Sequence, residues 1–214
     1  MLNDLWTKCD GLRASVKKPA QQIGMSSSKL LRQHVRLLRF VCSPMQLVRL
    51  SSDFELKEFD CGDNDLNEFL FDDAKPFLEK KIANTFVLED EGRIVAYFCL
   101  LNDKISRLEV TNSRWRAIKD SFPESKRFRS YPSVKIGRFA VATSYKGKSI
   151  GSQLMATIKV LLSSNLNFSA FRFLTVDAYL SAVPFYKRNG FRELTEKDHN
   201  ESTRLMYFDM MEIM

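Results

Sequence analysis

Histidine is nearly absent from this 214-residue chain, with His34 and His199 the only two. The four cysteines, Cys9, Cys42, Cys61 and Cys99, are scattered without a C-x-x-C pair. That spacing supports neither a zinc site nor a disulfide framework, and it fits a reducing cytosol. Long apolar runs are missing too. The longest in the body, Ile94 to Leu101, falls far short of the roughly 20 residues a membrane helix needs. The first dozen residues hold acids and a tryptophan rather than an apolar stretch, so no secretory signal is read and a cytoplasmic location is expected.

What is present is an ordinary folded composition, 44% hydrophobic, 12% aromatic and 28% charged, in a chain long enough to bury a core. The net charge of +7 is uneven. Residues 1–44 carry eight basic side chains against Asp4 and Asp10, so six of the seven net charges sit there. We read 1–44 as a basic extension and 45–214 as the folded domain. Within the extension, Leu30, Leu31, Val35, Leu38 and Val41 share one side of a helical spacing, and Lys29, Arg32, Arg36 and Arg39 another. An amphipathic helix, a disordered tail, and translation upstream of a start at Met25 or Met45 are the alternatives.

From Gln46 the pattern predicts β-αα-β-β-(α)-β-α-β-α-β-β, an α/β domain around a mixed sheet. Asp63 and Asn64 offer N-caps for helices within Asp60–Lys81, with Leu66, Phe69, Leu70 and Phe77 as their apolar face. Residues 104 to 133 form a basic-leaning insertion in which Trp115, Phe122, Phe128 and Tyr131 are interleaved with cations such as Arg114, Arg116, Lys126 and Arg129. Such mixtures suit a phosphate backbone with unstacked bases. They equally suit a solvated loop whose aromatics dock on the core.

The stretch "ATSYKGKSIG", Ala142 to Gly151, has two readings. One is a loose phosphate-binding loop of nucleoside triphosphatases, with "FLTVD" (Phe173 to Asp177) as its Mg²⁺ strand. That fold needs several further strand-helix crossovers of a dozen residues or more. Only the 37 residues from Ala178 to Met214 remain. The other reading is a coenzyme A turn, where small residues admit an anion to the N-terminus of a helix.

"IGRFAVATSYKGKSIGSQLM", "FLTVDA" and "VPFYKRNGF" together resemble the GNAT superfamily of acetyl-CoA-dependent N-acetyltransferases, from about Met45 to Met214. "FDCGDNDLNEFL", "NTFVLEDEGRIVAYFCL" and "KIGRFAV" resemble one branch, the GNAT toxins of toxin–antitoxin pairs, which acetylate aminoacyl-tRNA. The resemblance implies a mostly antiparallel sheet flanked by helices and splayed between strands near Phe139–Ala142 and Phe173–Asp177. It implies acetyl-CoA as donor, and a binding set of Phe139, Ala140, Val141 and Ala142 along the strand with Lys146, Gly147, Lys148, Ser149, Ile150, Gly151 and Ser152 in the turn. Tyr186 matches the tyrosine that protonates the leaving thiolate. No metal is implied.

The turn departs from its [QR]-x-x-G-x-G pattern at Lys146 and Ser149. Lysine lacks the fork of arginine, and serine reaches positive φ less readily than glycine. No base stands out: His199, Glu89, Glu91 and Asp177 are candidates by position only. That fits an α-amino acceptor, which ionises near 8, better than a lysine amine near 10.4. The expected function is therefore acetyl transfer to a primary amine of unknown identity. An aminoacyl-tRNA toxin with an antitoxin partner is the alternative, a binding module without turnover is a third, and a homodimer is compatible with all of them.

Overall fold

The computed structural model describes residues 45–108, 110–120, 122, 128–163, 169–194 and 202–213. The basic stretch read at Lys29–Val41, and His199, lie outside the described residues. In chain order the elements are β1 (Gln46–Arg49), α1 (Asn64–Glu68), a π turn (Phe69–Asp73), α2 (Ala74–Glu79), β2 (Asn84–Asp90), β3 (Arg93–Ser106), α3 (Asn112–Lys119), β4 (Ser130–Val141), α4 (Ile150–Ser163), β5 (Phe173–Tyr179), α5 (Val183–Arg188), β6 (Arg192–Glu193) and β7 (Thr203–Asp209). This is the order expected from the sequence.

Local chemistry explains the breaks. Asp63 caps α1, its carboxylate accepting from the Leu66 N–H at 3.2 Å. The widened π turn lies just upstream of Pro76, which has no N–H and crowds the carbonyl four residues back. Glu91 and Gly92, both at positive φ, make the tight turn that pairs Asp90 with Arg93.

The seven strands are ordered β1-β2-β3-β4-β5-β7-β6. Every neighbouring pair is antiparallel except β4 and β5. Side chains alternate between the faces. On one, Leu154, Met155 and Ile158 of α4 pack on Phe98, Ile136, Leu174 and Met206. On the other, Phe69, Leu70 and Ala74 of the α1–α2 segment cover Val87, Tyr97 and Cys99. Tyr97 is fully buried, and its hydroxyl donates to the Leu66 carbonyl at 2.6 Å, fastening α1 to the middle of the sheet. Such an anchor satisfies the polar tip of a buried aromatic.

A third cluster corrects one reading of the insertion. Trp115 and Ile118 of α3 pack with Ile105, Tyr131, Phe173 and Tyr207, and Phe122 stacks on Tyr131 at 4.0 Å between centroids. Three of the four insertion aromatics therefore serve the core, while Phe128 stays 64% exposed with its ring edge-on to Tyr131 at 6.4 Å between centroids. Burial of apolar area outweighed any pattern visible in the charges.

Candidate active site

The sheet is incomplete at its centre. The β4–β5 ladder has four pairs, Ser133↔Phe173 to Ile136↔Val176. Beyond them β4 stays with β3 as far as Val141, while β5 stays with β7 as far as Tyr179. The opening thus starts at Gly137 and Asp177, and Phe173 to Val176 belong to the joined part. Gly137 is the extra residue of a bulge, since Cys99 faces Arg138 and Leu100 faces Ile136. A Cβ at Gly137 would stand 2.7 Å from Leu101 Cδ2 and 2.9 Å from Cys99 Sγ, so any larger residue would have to push these two side chains aside. Bulges add local twist, and this one turns β4 away where the ladder stops. Backbone groups of Arg138 to Val141 that point away from β3 have no strand partner among the described residues.

A cavity of about 500 Å³ occupies the opening. Leu66, Phe69 and Phe77 form one wall, Arg138 and Phe139 of β4 another, Asp177 to Tyr179 of β5 a third, and Tyr186 of α5 closes it. Among the described residues two carboxylates line it, and both are paired. Asp177 meets Lys135 at 2.5 Å. Asp65 meets the Arg138 guanidinium at 3.4 Å and accepts from the Tyr179 hydroxyl at 3.3 Å. Arg138 also lies over the Phe69 ring, 5.2 Å from its centroid. Glu89 and Glu91, considered as bases from the sequence, do not line the cavity. Asp65 was legible only as part of a helix start, so the sequence concealed its place at the site.

The turn leading from β4 to α4 has the shape that an anion site requires. Gly147 (φ +78°) and Ser149 (φ +61°) are both left-handed, and α4 begins at Ile150. Ser149 therefore adopts the conformation that its identity disfavours. The first-turn N–H groups of α4 have no partner within the helix and carry its positive dipole end. Gly151 sits where a Cβ would meet Phe185 Cε2 at 3.2 Å and Val141 Cγ2 at 3.6 Å, so its smallness lets α4 approach both α5 and β4. The lysines point elsewhere. Lys146 Nζ donates to the Cys61 carbonyl at 2.6 Å, and Lys148 Nζ lies 4.8 Å from the Tyr145 ring centroid.

Tyr186 is 5% exposed, wedged between Phe185 (5.2 Å) and Phe191 (5.4 Å). Its hydroxyl has no protein partner among the described residues. Burial alone pushes the phenol well above its ordinary pKa, so it keeps its proton through the physiological range. Pro184 starts α5, and the Asn189 amide donates to the Phe185 carbonyl at 2.9 Å and reaches Ser152 Oγ at 3.5 Å, joining α5 to α4. Of the expected binding set, Phe139 lines the cavity with Tyr186, whereas Ala140, Val141, Ala142 and the turn Lys146–Ser152 do not; Val141 and Phe185 instead border Gly151 at the start of α4.

No helix among the described residues is long and apolar enough to cross a membrane. No curated protein matches the chain. Among solved structures, it resembles that of AtaT complexed with acetyl-methionyl-tRNAfMet, at 26% identity and TM-score 0.63, over 79% of this chain and 96% of that one. It also resembles AtaTR bound with AcCoA, at 25% identity and TM-score 0.61, over 79% and 96% of the two chains. A mutant of KacT shares the fold at 23% identity and TM-score 0.62, over 80% and 98%. The acetyltransferase (GNAT) domain model matches residues 81–193, more than half of the chain. That span takes in the split strands, the turn and Tyr186, and the chain belongs to the GNAT acetyltransferases, enzymes whose acetyl donor is acetyl-CoA.

Proposed function

We propose that this enzyme moves the acetyl group of acetyl-CoA directly to a primary amine held in the β4–β5 opening. The observation that carries the reading is the juxtaposition of β4 backbone without a strand partner, a left-handed turn at the start of α4, and a buried tyrosine whose hydroxyl has no partner, all among the described residues. The backbone N–H groups of the Lys146–Ser152 turn, not the side chains of Lys146 and Lys148, would take the pyrophosphate, as helix starts do for anions. The backbone of Phe139 to Ala142 would pair with the pantetheine, and one of its N–H groups would face the thioester carbonyl, where negative charge gathers in the transition state.

The neutral amine attacks the carbonyl carbon, the C–S bond breaks, and the thiolate takes the proton of Tyr186. The proton released by the new amide restores the phenol. A phenol that stays protonated at neutral pH would serve this step once the leaving sulfur lies within hydrogen-bond reach of it, and the charge forming on the thiolate would drive the transfer against the raised pKa of the phenol. Both carboxylates that line the cavity among the described residues are engaged with cations. An acceptor that arrives already neutral therefore fits best. An α-amino group ionising near 8, lower still when its carboxylate is esterified, meets that condition.

The likeness to AtaT, solved complexed with acetyl-methionyl-tRNAfMet and, as a mutant toxin, bound to the C-terminus of the antitoxin AtaR, favours a more specific reading, in which the acceptor is an aminoacyl-tRNA and the enzyme a cytoplasmic toxin held in check by an antitoxin protein. Incubation with labelled acetyl-CoA and a panel of amines, peptides and charged tRNAs separates the readings. Label appearing on aminoacyl-tRNA alone supports the toxin; label on small amines supports the broader enzyme. Coenzyme A binding with no transfer to any acceptor would sink both and leave a binding module.

A further inference from the structure

The motif from Asp60 to Asn67 takes no part in the transfer steps, yet it touches both halves of the site. On one side it is bonded to the coenzyme A turn. The Asp60 carbonyl accepts from the Thr143 N–H at 2.9 Å and from its hydroxyl at 3.2 Å, and the Cys61 carbonyl accepts from Lys146 Nζ at 2.6 Å. On the other side it is knotted to α1. Asn67 Oδ1 accepts from the Cys61 N–H at 3.0 Å, while Asp60 Oδ1 accepts from Asn67 Nδ2 at 2.9 Å and from the Gly62 N–H at 2.7 Å. Gly62, at φ +77°, lies against Thr143 and Lys146. Through Asn67 the path ends on the helix that supplies Asp65 and Leu66 to the cavity wall.

We propose that Lys146 is a positioning residue that couples the coenzyme A turn to the acceptor wall, so that cofactor binding orders α1 for the acceptor. This rests on the reading of the turn as the coenzyme A site. Ser149 is held left-handed beside Lys146, a conformation that an anion bound to the turn's N–H groups would steady. Steadying the turn steadies the donor on Lys146, and the Cys61 carbonyl passes that order to Asn67 and α1. The departure from glutamine or arginine at this position then has a purpose. A compact ammonium reaches one carbonyl, whereas a planar fork would seek two acceptors.

Hydrogen exchange with and without acetyl-CoA tests this in the whole protein, together with steady-state kinetics on any acceptor found. In the parent, acetyl-CoA should slow exchange both in the turn at 147–152 and at the amides of Asn67 to Leu70, which run from α1 into the π turn. In Lys146→Met the turn should still be protected and α1 should not. The acceptor KM should rise roughly 10-fold while acetyl-CoA affinity changes by less than about 3-fold, the scale of one charge-assisted hydrogen bond acting through coupling. Lys146→Arg, which keeps a donor, should recover part of the α1 protection. Thr143→Val, which removes one bond of the same junction, should show a weaker version of the same split. A roughly 10-fold loss of acetyl-CoA affinity in Lys146→Met with α1 still protected at saturation would make Lys146 a phosphate ligand and overturn the proposal. So would α1 protection unchanged in both variants. If the parent protects α1 but acetylates nothing, the coupling stands and the proposed function fails.

Discussion

Tyr186 illustrates how burial sets a side chain's role. With 5% of its surface exposed and no hydroxyl partner among the described residues, replacement by phenylalanine removes one oxygen and leaves the packing against Phe185 and Phe191 in place. Tyr186→Phe should keep the fold and acetyl-CoA binding while lowering kcat by about 10²-fold or more, the usual scale of a lost general acid. A variant as fast as the parent across pH would remove the tyrosine from the mechanism. Lys159 of α4 is a second buried group, and it was not legible as special in the sequence. Its ammonium donates to the Asn189 carbonyl and lies 3.4 Å from the Phe208 ring centroid. Burial brings its pKa down to about 8, opposed by Glu212. The unfolded chain holds this proton up to about 10.5, so between those values it binds more protons than the folded one, and stability from this site rises with pH. Melting curves of the parent and Lys159→Met from pH 7 to 10 should show the parent gaining on the variant as pH increases. Parallel curves would mean that the ring and carbonyl contacts fully compensate for the burial.

At the scale of the element, the turn and its helix show what a sequence pattern can and cannot give. The glycines were readable: Gly147 stands at positive φ, and Gly151 stands where α4 meets Phe185. Ser149 was readable as a departure, and its φ of +61° supplies the physical content. Substitution by glycine should relieve left-handed strain of about 1 to 2 kcal/mol, partly offset by the greater freedom of glycine in the unfolded chain. The expected net gain is about 0.5 to 1 kcal/mol in denaturant unfolding, with acetyl-CoA bound at least as tightly. A less stable variant would mean that the serine hydroxyl earns its place by a bond to the ligand or the turn. The destination of Lys146 was not readable, because a side chain's partner 85 residues away depends on how two loops meet. The insertion aromatics fall in the same class. Nothing in the spacing of Trp115, Phe122 and Tyr131 distinguishes docking on Phe173 from waiting for a base, since only the folded sheet brings Phe173 to them.

For the molecule as a whole, the order of elements was legible because each strand and helix carries its own periodicity, and the place of the β4–β5 opening came close. Its start was displaced by the four pairs that join Phe173–Val176 to Ser133–Ile136. Asp65 and Tyr179 were missed because they reach the cavity from elements far apart in the chain, 114 residues from one to the other. Charge makes a prediction at this scale. If aminoacyl-tRNA is the acceptor, its backbone must find cations, and transfer to it should weaken steeply as salt rises from about 50 to 200 mM. Transfer to a short aminoacyl ester lacking that backbone should change little over the same range. Equal salt dependence for both would argue that the polynucleotide makes no ionic contact.

The short β4–β5 ladder also bears on how the protein carries load. Strands β1 to β4 form one panel and β5 to β7 another, sewn in the sheet by four residue pairs and backed by the apolar face of α4. Such a seam is the natural place for the body to flex. A cofactor lying along the unpaired edge of β4 would serve as a batten across the join. The loaded enzyme should then be stiffer as a whole than its local contacts with the ligand require, and release of coenzyme A should be paced by the opening of the seam.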